Sequence, residues 1–204
     1  MTDFLVFAVV GYLLGSVPFG LIAGRIFGDI DVREHGSGMT GMTNVIRTVG
    51  IWAGMLVLSL DMGKTVLAVV LTRLFTDSLG IEVVAAITAI MGHNWPLYSN
   101  FKGGRGTAPG WAGLIILSPI AGIVASIVGL ITIAISRYVS LGSIVGATSG
   151  AITLIVLSLL DLHPLAYVWY GPIGATIIVV RHKENIQRLM SGKERKLGHR
   201  AEGL

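Results

Sequence analysis

The 204-residue chain contains no cysteine, which excludes disulfides, thiolate nucleophiles and thiolate metal sites. Charge is scarce: 13% of residues are Asp, Glu, Lys or Arg, against about 25% in a soluble domain. The five histidines are scattered and no carboxylate cluster accompanies them, so no metal and no other cofactor is expected. No Ser-His-Asp order is evident, and no obvious carboxylate base sits close to His182. The basic stripes and module signatures of nucleic-acid binders are missing, as are tandem repeats and low-complexity segments.

What fills the chain instead is apolar. Hydrophobic residues make up 53%, and the mean hydropathy is +0.79. Several runs approach the roughly 20 residues that cross a bilayer. The competing reading, a soluble protein with a buried helical core, does not suit so little charge. The chain therefore reads as an all-α polytopic membrane protein forming one domain over residues 1–204. Its first apolar run starts almost at Met1, without a basic n-region or a clear cleavage site. It reads as a retained helix rather than a signal peptide.

Phe4 to Phe27 is the first span, with Gly11, Gly15, Gly20 and Gly24 for close packing and Ser16, Pro18 and Gly20 able to bend it. Ile51 to Phe75 reads as one long span broken near Asp61-Met62-Gly63-Lys64. Asp61 and Lys64 at i, i+3 suit an intramembrane ion pair. Ile81 to Met91 follows, then Thr107 to Ser136, which Ser118-Pro119 divides into two tight helices. A turn at Arg137 to Ser143 precedes spans at about Ile144–Leu160 and Leu165–Val180. Seven spans with the N-terminus outside and the C-terminus inside put the basic segments, Arg137 and the tail on one side. That satisfies the positive-inside rule, with Arg73 the one poor fit.

Three polar islands interrupt this pattern. In the first, Ser37 to Arg47, Gly36, Gly38 and Gly41 allow close backbone approach, Ser37, Thr43 and Asn44 add neutral donors, and Arg47 adds charge. A glycine-rich turn with a capping Asn or Ser is the plainer reading. The second runs from Gly92 to Gly106, where His93, Lys102 and Arg105 stand beside Gly103-Gly104. Convergent backbone amides with positive charge make an anion nest, although a basic turn touching lipid phosphates has the same composition. It lacks the Gly-Lys-Ser/Thr ending of a nucleotide loop, so ATP is not expected. The third, Arg181 to Lys196, places His182, Asn185 and Leu189 on one helical face. A basic amphipathic helix lying on the membrane is its alternative.

Taken together, the islands resemble the motifs of the bacterial acyl-phosphate:glycerol-3-phosphate acyltransferase family. Ser37-Gly38-Met39-Thr40-Gly41-Met42-Thr43-Asn44 is similar to its Ser-Gly-Asn-x-Gly-Ala-Thr-Asn. Gly92 to Gly106 is similar to Gly-His-x-x-Pro…Phe-Lys-Gly-Gly-Lys-Gly, and His182 to Glu194 to His-x-x-Asn-Ile-x-Arg-Leu…Gly-x-Glu. Met39, Met42, Arg105 and Pro109 depart from the pattern. The resemblance implies transfer of a fatty acyl group from acyl phosphate to the 1-hydroxyl of sn-glycerol 3-phosphate, giving lysophosphatidic acid and phosphate. It implies a multi-pass protein of the bacterial inner membrane with its site on the cytoplasmic side. Membrane lipids surround it, and no obligate protein partner is inferred.

By resemblance, Ser37, Arg47, Lys102 or Arg105, His182 and Asn185 hold the glycerol phosphate. Gly41, Thr43, Asn44 and the Gly103-Gly104 backbone cradle the donor phosphate, with Gly38, His93, Ser140 and Ser143 as further binding residues. The hydroxyl proton goes either to His182 or, as the resemblance suggests, to a substrate phosphate with His182 donating a hydrogen bond. Two rivals stand beside this: a small anion or lipid-phosphate transporter, and a catalytically silent lipid-binding paralogue.

Overall fold

The computed structural model describes residues 1–198. Among these every regular element is a helix: α1 (Thr2–Gly15), α2 (Phe19–Gly28), α3 (Met42–Thr48), α4 (Ile51–Phe75), α5 (Leu79–Asn94), α6 (Thr107–Leu117), α7 (Pro119–Ser136), α8 (Val139–Leu159), α9 (Tyr170–Arg181) and α10 (Lys183–Met190). Short 3₁₀ turns occupy Leu97–Ser99 and Leu165–Trp169.

Thr2–Gly28, Ile51–Phe75, Pro119–Ser136 and Val139–Leu159 are long and apolar enough to cross a membrane, while Thr107–Leu117 and Leu165–Arg181 are shorter. The first span is two helices, parted where Pro18 supplies no N–H. Ser16 Oγ donates to Tyr12 O at 2.8 Å at the break. Gly11 and Gly15 let α1 lie directly on α5. A Cβ on either would overlap the carbonyl oxygens of Ala85 or Ala89.

The expected break in α4 is absent: the helix runs unbroken through Asp61 and Lys64. Lys64 Nζ donates to Asp61 Oδ1 at 2.7 Å and to Val17 O, a carbonyl at the α1–α2 break, at 3.2 Å. The pair and the groups packed around it satisfy one another, so the helix need not unwind to solvate the charges. Ser118-Pro119 does divide the next region. Ser118 caps α7, its Oγ accepting from Ala121 N, and Pro119 opens the helix where a missing donor costs nothing. The 11 residues of α6 rise about 16 Å, roughly half of the hydrocarbon core. The turn expected at Arg137 to Ser143 contracts to Arg137-Tyr138, so Ser140 and Ser143 lie in the opening of α8. Small residues again set the spacing: a Cβ on Gly129 would stand 3.1 Å from Gly142 O across α7 and α8.

The buried core centres on α5, α6, α8 and α9 with Ile90, Leu114, Leu154 and Tyr170. All three islands fall at one end of this bundle, where α4 begins and α5 and α9 end.

Candidate active site

The islands enclose a cavity of about 360 Å³. Of the anticipated residues, Ser37, Gly41, Thr43, Asn44, Arg47, His93, Arg105, Ser140, Ser143, His182 and Asn185 line it. Gly38, Lys102, Gly103 and Gly104 are outside its lining.

The first island is built around Asn44. Its Oδ1 accepts from Ser37 N at 2.7 Å, and its Nδ2 donates to Val32 O at 2.8 Å and His35 O at 3.2 Å. That commits the amide to the loop, so Asn44 shapes the cradle instead of offering a free donor. Gly36 and Gly38 take the left-handed backbone such a loop needs, with φ of 61° and 70°. Gly41 differs, because its φ is ordinary and a Cβ there would meet nothing within 4 Å. Its missing side chain leaves the cavity open at the start of α3, where the first amides have no helical partner.

Arg47, one turn along α3, makes no hydrogen bond among the described residues. Burial, followed by the neighbouring Arg195, lowers its pKa.

In the second island the chain turns sharply at Asn100 and Phe101, both left-handed at φ 54° and 59°. Lys102 emerges exposed at the surface. Gly103 and Gly104 are buried against His93, and Gly104 N–H donates to His93 O at 3.0 Å. The amide of Gly104 is therefore committed within the protein. Arg105 is the basic residue that reaches the cavity. Its Nε is buried with no partner among the described residues. Burial above all, then Arg188, brings its pKa down to about 10, so it remains a cation at neutral pH. Arg181 locks this loop to the end of α9, donating to Gly104 O at 2.9 Å and stacking 5.3 Å from the Trp95 ring.

The third island presents His182, 2% exposed. Its Nδ1 stands 2.8 Å from Ile178 O. A carbonyl only accepts, so Nδ1 carries the proton and Nε2 of the neutral ring is an acceptor. Burial pushes the imidazole down to about 4 despite that bond. Asn185 Nδ2 donates to Glu194 Oε1 at 2.7 Å, while its Oδ1 is buried and unpartnered among the described residues. Ser140 Oγ donates to the same Glu194 oxygen at 2.9 Å, and Arg188 Nε to Oε2 at 2.8 Å. Burial alone would raise the Glu194 carboxyl, but these three bonds hold it below its ordinary value. Ser143 Oγ donates into its own helix, to Val139 O.

Glu194 and Arg195 were not singled out from the sequence, yet both line the cavity. Arg195 Nη1 also donates to Gly36 O, 159 positions away. For Glu194 the signal was the closing Glu of the third motif; for Arg195 it was membership of the third basic island alone. Beyond the polar end the cavity turns apolar between α4, α6, α7 and α8, past Met55, Trp111, Leu130, Ile133 and Gly146.

The sequence profile of the glycerol-3-phosphate acyltransferase family matches residues 5–192. The chain belongs to that family. It is 40% identical to glycerol-3-phosphate acyltransferase 3 of Dehalococcoides mccartyi strain 195, over 97% of each chain. It is 44% identical to the glycerol-3-phosphate acyltransferase of Halalkalibacterium halodurans over 94% of each. Among solved structures it resembles PlsY (YgiH), an integral membrane glycerol 3-phosphate acyltransferase. In the glycerol 3-phosphate form of PlsY the TM-score is 0.86 and the identity 31%, covering 96% of each chain. In the lysophosphatidic acid form the TM-score is 0.83.

This glycerol-3-phosphate acyltransferase family member is thus a multi-pass bacterial membrane protein and an acyltransferase. Its departures from the motif fall on the cavity as well as outside it: Met39, Met42 and Arg105 line the wall, whereas Pro109 is buried and does not.

Proposed function

We propose that this acyltransferase moves a fatty acyl group from acyl phosphate to the 1-hydroxyl of sn-glycerol 3-phosphate, releasing lysophosphatidic acid and inorganic phosphate. One observation carries the reading. A single cavity joins Arg47 and Arg105, two arginines with no hydrogen-bond partner among the described residues, to an apolar channel between helices. Joining a phosphorylated polyol to a fatty chain requires both ends. Half-buried guanidinium groups with no acceptor of their own are seats for anions. The glycerol 3-phosphate and lysophosphatidic acid forms of PlsY fit the same acceptor and product.

In this reading Ser37, Arg47, Arg105, His182 and Asn185 hold glycerol 3-phosphate. Gly41 and Thr43 face the donor phosphate at the start of α3. Asn44, Gly103 and Gly104 serve by shaping the loops, and Lys102 attracts anions from the surface. The 1-hydroxyl oxygen adds to the acyl carbonyl carbon and the carbonyl π pair moves onto its oxygen. When that pair returns, the bond from carbon to phosphate oxygen breaks and phosphate leaves. The hydroxyl proton ends on the departing phosphate, which gains negative charge as its bond to carbon breaks, in preference to an imidazole at about 4. His182 Nε2 accepts from the 2-hydroxyl and so positions the glycerol, leaving the 1-hydroxyl proton to the phosphate. That replaces the hydrogen-bond donor role anticipated for His182, because its one proton is spent on Ile178 O.

The placement of all three islands at one end supports seven crossings with the N-terminus outside and the cavity facing the cytoplasm of a bacterial inner membrane. The test is purified protein in lipid or detergent given acyl phosphate and glycerol 3-phosphate. Equal yields of phosphate and lysophosphatidic acid are expected. No transfer, or transfer that proceeds equally well from acyl-CoA, overturns the donor assignment.

A further inference from the structure

The two buried histidines of the cavity are fixed in opposite tautomers, and the second has no part in the mechanism above. His93 is 5% exposed. Its Nδ1 stands 3.0 Å from Lys64 Nζ and 3.3 Å from Asp61 Oδ1. The two distances suggest opposite roles for Nδ1, and the chemistry of the ammonium decides between them. Lys64 has three N–H groups and no acceptor. Asp61 Oδ1, Val17 O and His93 Nδ1 surround it as three acceptors. Were Nδ1 protonated, two donors would face each other at 3.0 Å. Nδ1 is therefore the acceptor, and the proton sits on Nε2.

That Nε2–H has no protein acceptor among the described residues. The ring lines the cavity between Asp61 and Arg105. Gly104 packs at the Nε2 edge of the ring, and a Cβ at Gly104 would overlap Nε2. Glycine keeps the nitrogen uncovered. The result is a neutral donor on a ring of the cavity wall, fixed by an ion pair behind it.

We propose that His93 Nε2–H donates to the acyl carbonyl oxygen as it becomes an oxyanion, with Lys64 and Asp61 as positioning residues that enforce the tautomer. The phosphates already have Arg47 and Arg105. A neutral donor gains most where negative charge appears only in the transition state. The proposal rests on the acyl-phosphate reading above.

The first test needs neither variants nor substrate. ¹⁵N NMR of the histidine-labelled protein should show His93 protonated at Nε2 and His182 at Nδ1. His93 protonated at Nδ1 overturns the proposal, even where acyl transfer itself is confirmed. A protein that shows the expected tautomers but transfers no acyl group contradicts the substrate reading instead.

The second test is kinetic. His93→Leu should lower kcat about 10²–10³-fold, the usual loss for one oxyanion donor, with KM for glycerol 3-phosphate unchanged. His93→Gln, whose amide N–H reaches the same region, should recover part of that loss. Lys64→Met should free the ring to protonate Nδ1 toward Asp61 and lower kcat, with little further loss when combined with His93→Leu. A kcat for His93→Leu within threefold of wild type overturns the proposal. So does an effect confined to KM for acyl phosphate, which would mark a ground-state phosphate contact.

Discussion

Two charged clusters lie at opposite ends of the bundle, and they differ in what their arginines touch. At the turn between α4 and α5, Arg73 Nε meets Glu82 Oε2 at 2.9 Å and its Nη2 meets Ile116 O at 3.0 Å. Tyr167 Oη donates to the same Glu82 oxygen at 2.9 Å. At the island end, Arg47 and Arg105 face a cavity with no acceptor of their own among the described residues. Charge in a membrane protein is costly at either place. Where it is paired it fastens helices together, and where it is left unpaired a ligand must complete it.

That contrast is broken most severely by Arg105→Met. The neutral side chain fits the buried path but cannot hold a phosphate, and kcat/KM for glycerol 3-phosphate should fall at least about 10³-fold with the melting temperature preserved. Arg105→Lys should recover only part of the activity, since an ammonium keeps charge without the planar fork. Steady-state kinetics and thermal unfolding in detergent separate the two effects.

Glu82→Leu should do the reverse. Removing the acceptor shared by Arg73 and Tyr167 should cost about 1–3 kcal/mol, read as a lower melting temperature. The kcat of the remaining folded enzyme should stay within about twofold, since Glu82 touches no substrate.

Lys102→Met should have a small effect, at most about threefold in KM and larger at low salt than at high, because an exposed charge acts by long-range attraction.

The pH profile sharpens the site from another side. His182 titrates at about 4 when folded and near 6.5 when free. Between those values the unfolded chain binds a proton that the folded chain does not. Stability therefore falls as pH drops from 6.5 toward 4 and gains nothing more from this group above 6.5. Activity should show no step from His182 between pH 5 and pH 8, and a His182 titration near 6.5 in kcat/KM would contradict its buried, neutral state.

Much of the fold was legible because its punctuation has local causes. Ser118-Pro119 marks a helix start by a missing N–H, and Pro18 parts α1 from α2 for the same reason. The Asp61–Lys64 pair follows from i, i+3 spacing. Its consequence did not follow: the partners that keep α4 unbroken, Val17 O at the α1–α2 break and His93 Nδ1 on α5, come from other segments.

The islands were legible as a set of anion-binding residue types, but the direction of each side chain was not. Lys102 and Arg105 are three residues apart in one basic loop. Two left-handed residues ahead of Lys102 turn it outward and leave Arg105 inside. Asn44 has the composition of a ligand donor, but its amide is consumed by the backbone of its own loop. Glu194 and Arg195 reach the cavity only because the segment after α10 folds back, with Leu197 N–H donating to Arg137 O at 2.7 Å. No local pattern announces a contact of that range.

The most direct measurement is calorimetric binding of glycerol 3-phosphate to the purified protein, to Arg105→Met and to Lys102→Met. The expected result is affinity within about threefold of wild type in Lys102→Met and loss of detectable binding in Arg105→Met. Binding that survives without Arg105, or vanishes without Lys102, would contradict the placement of the anion seat inside the cavity.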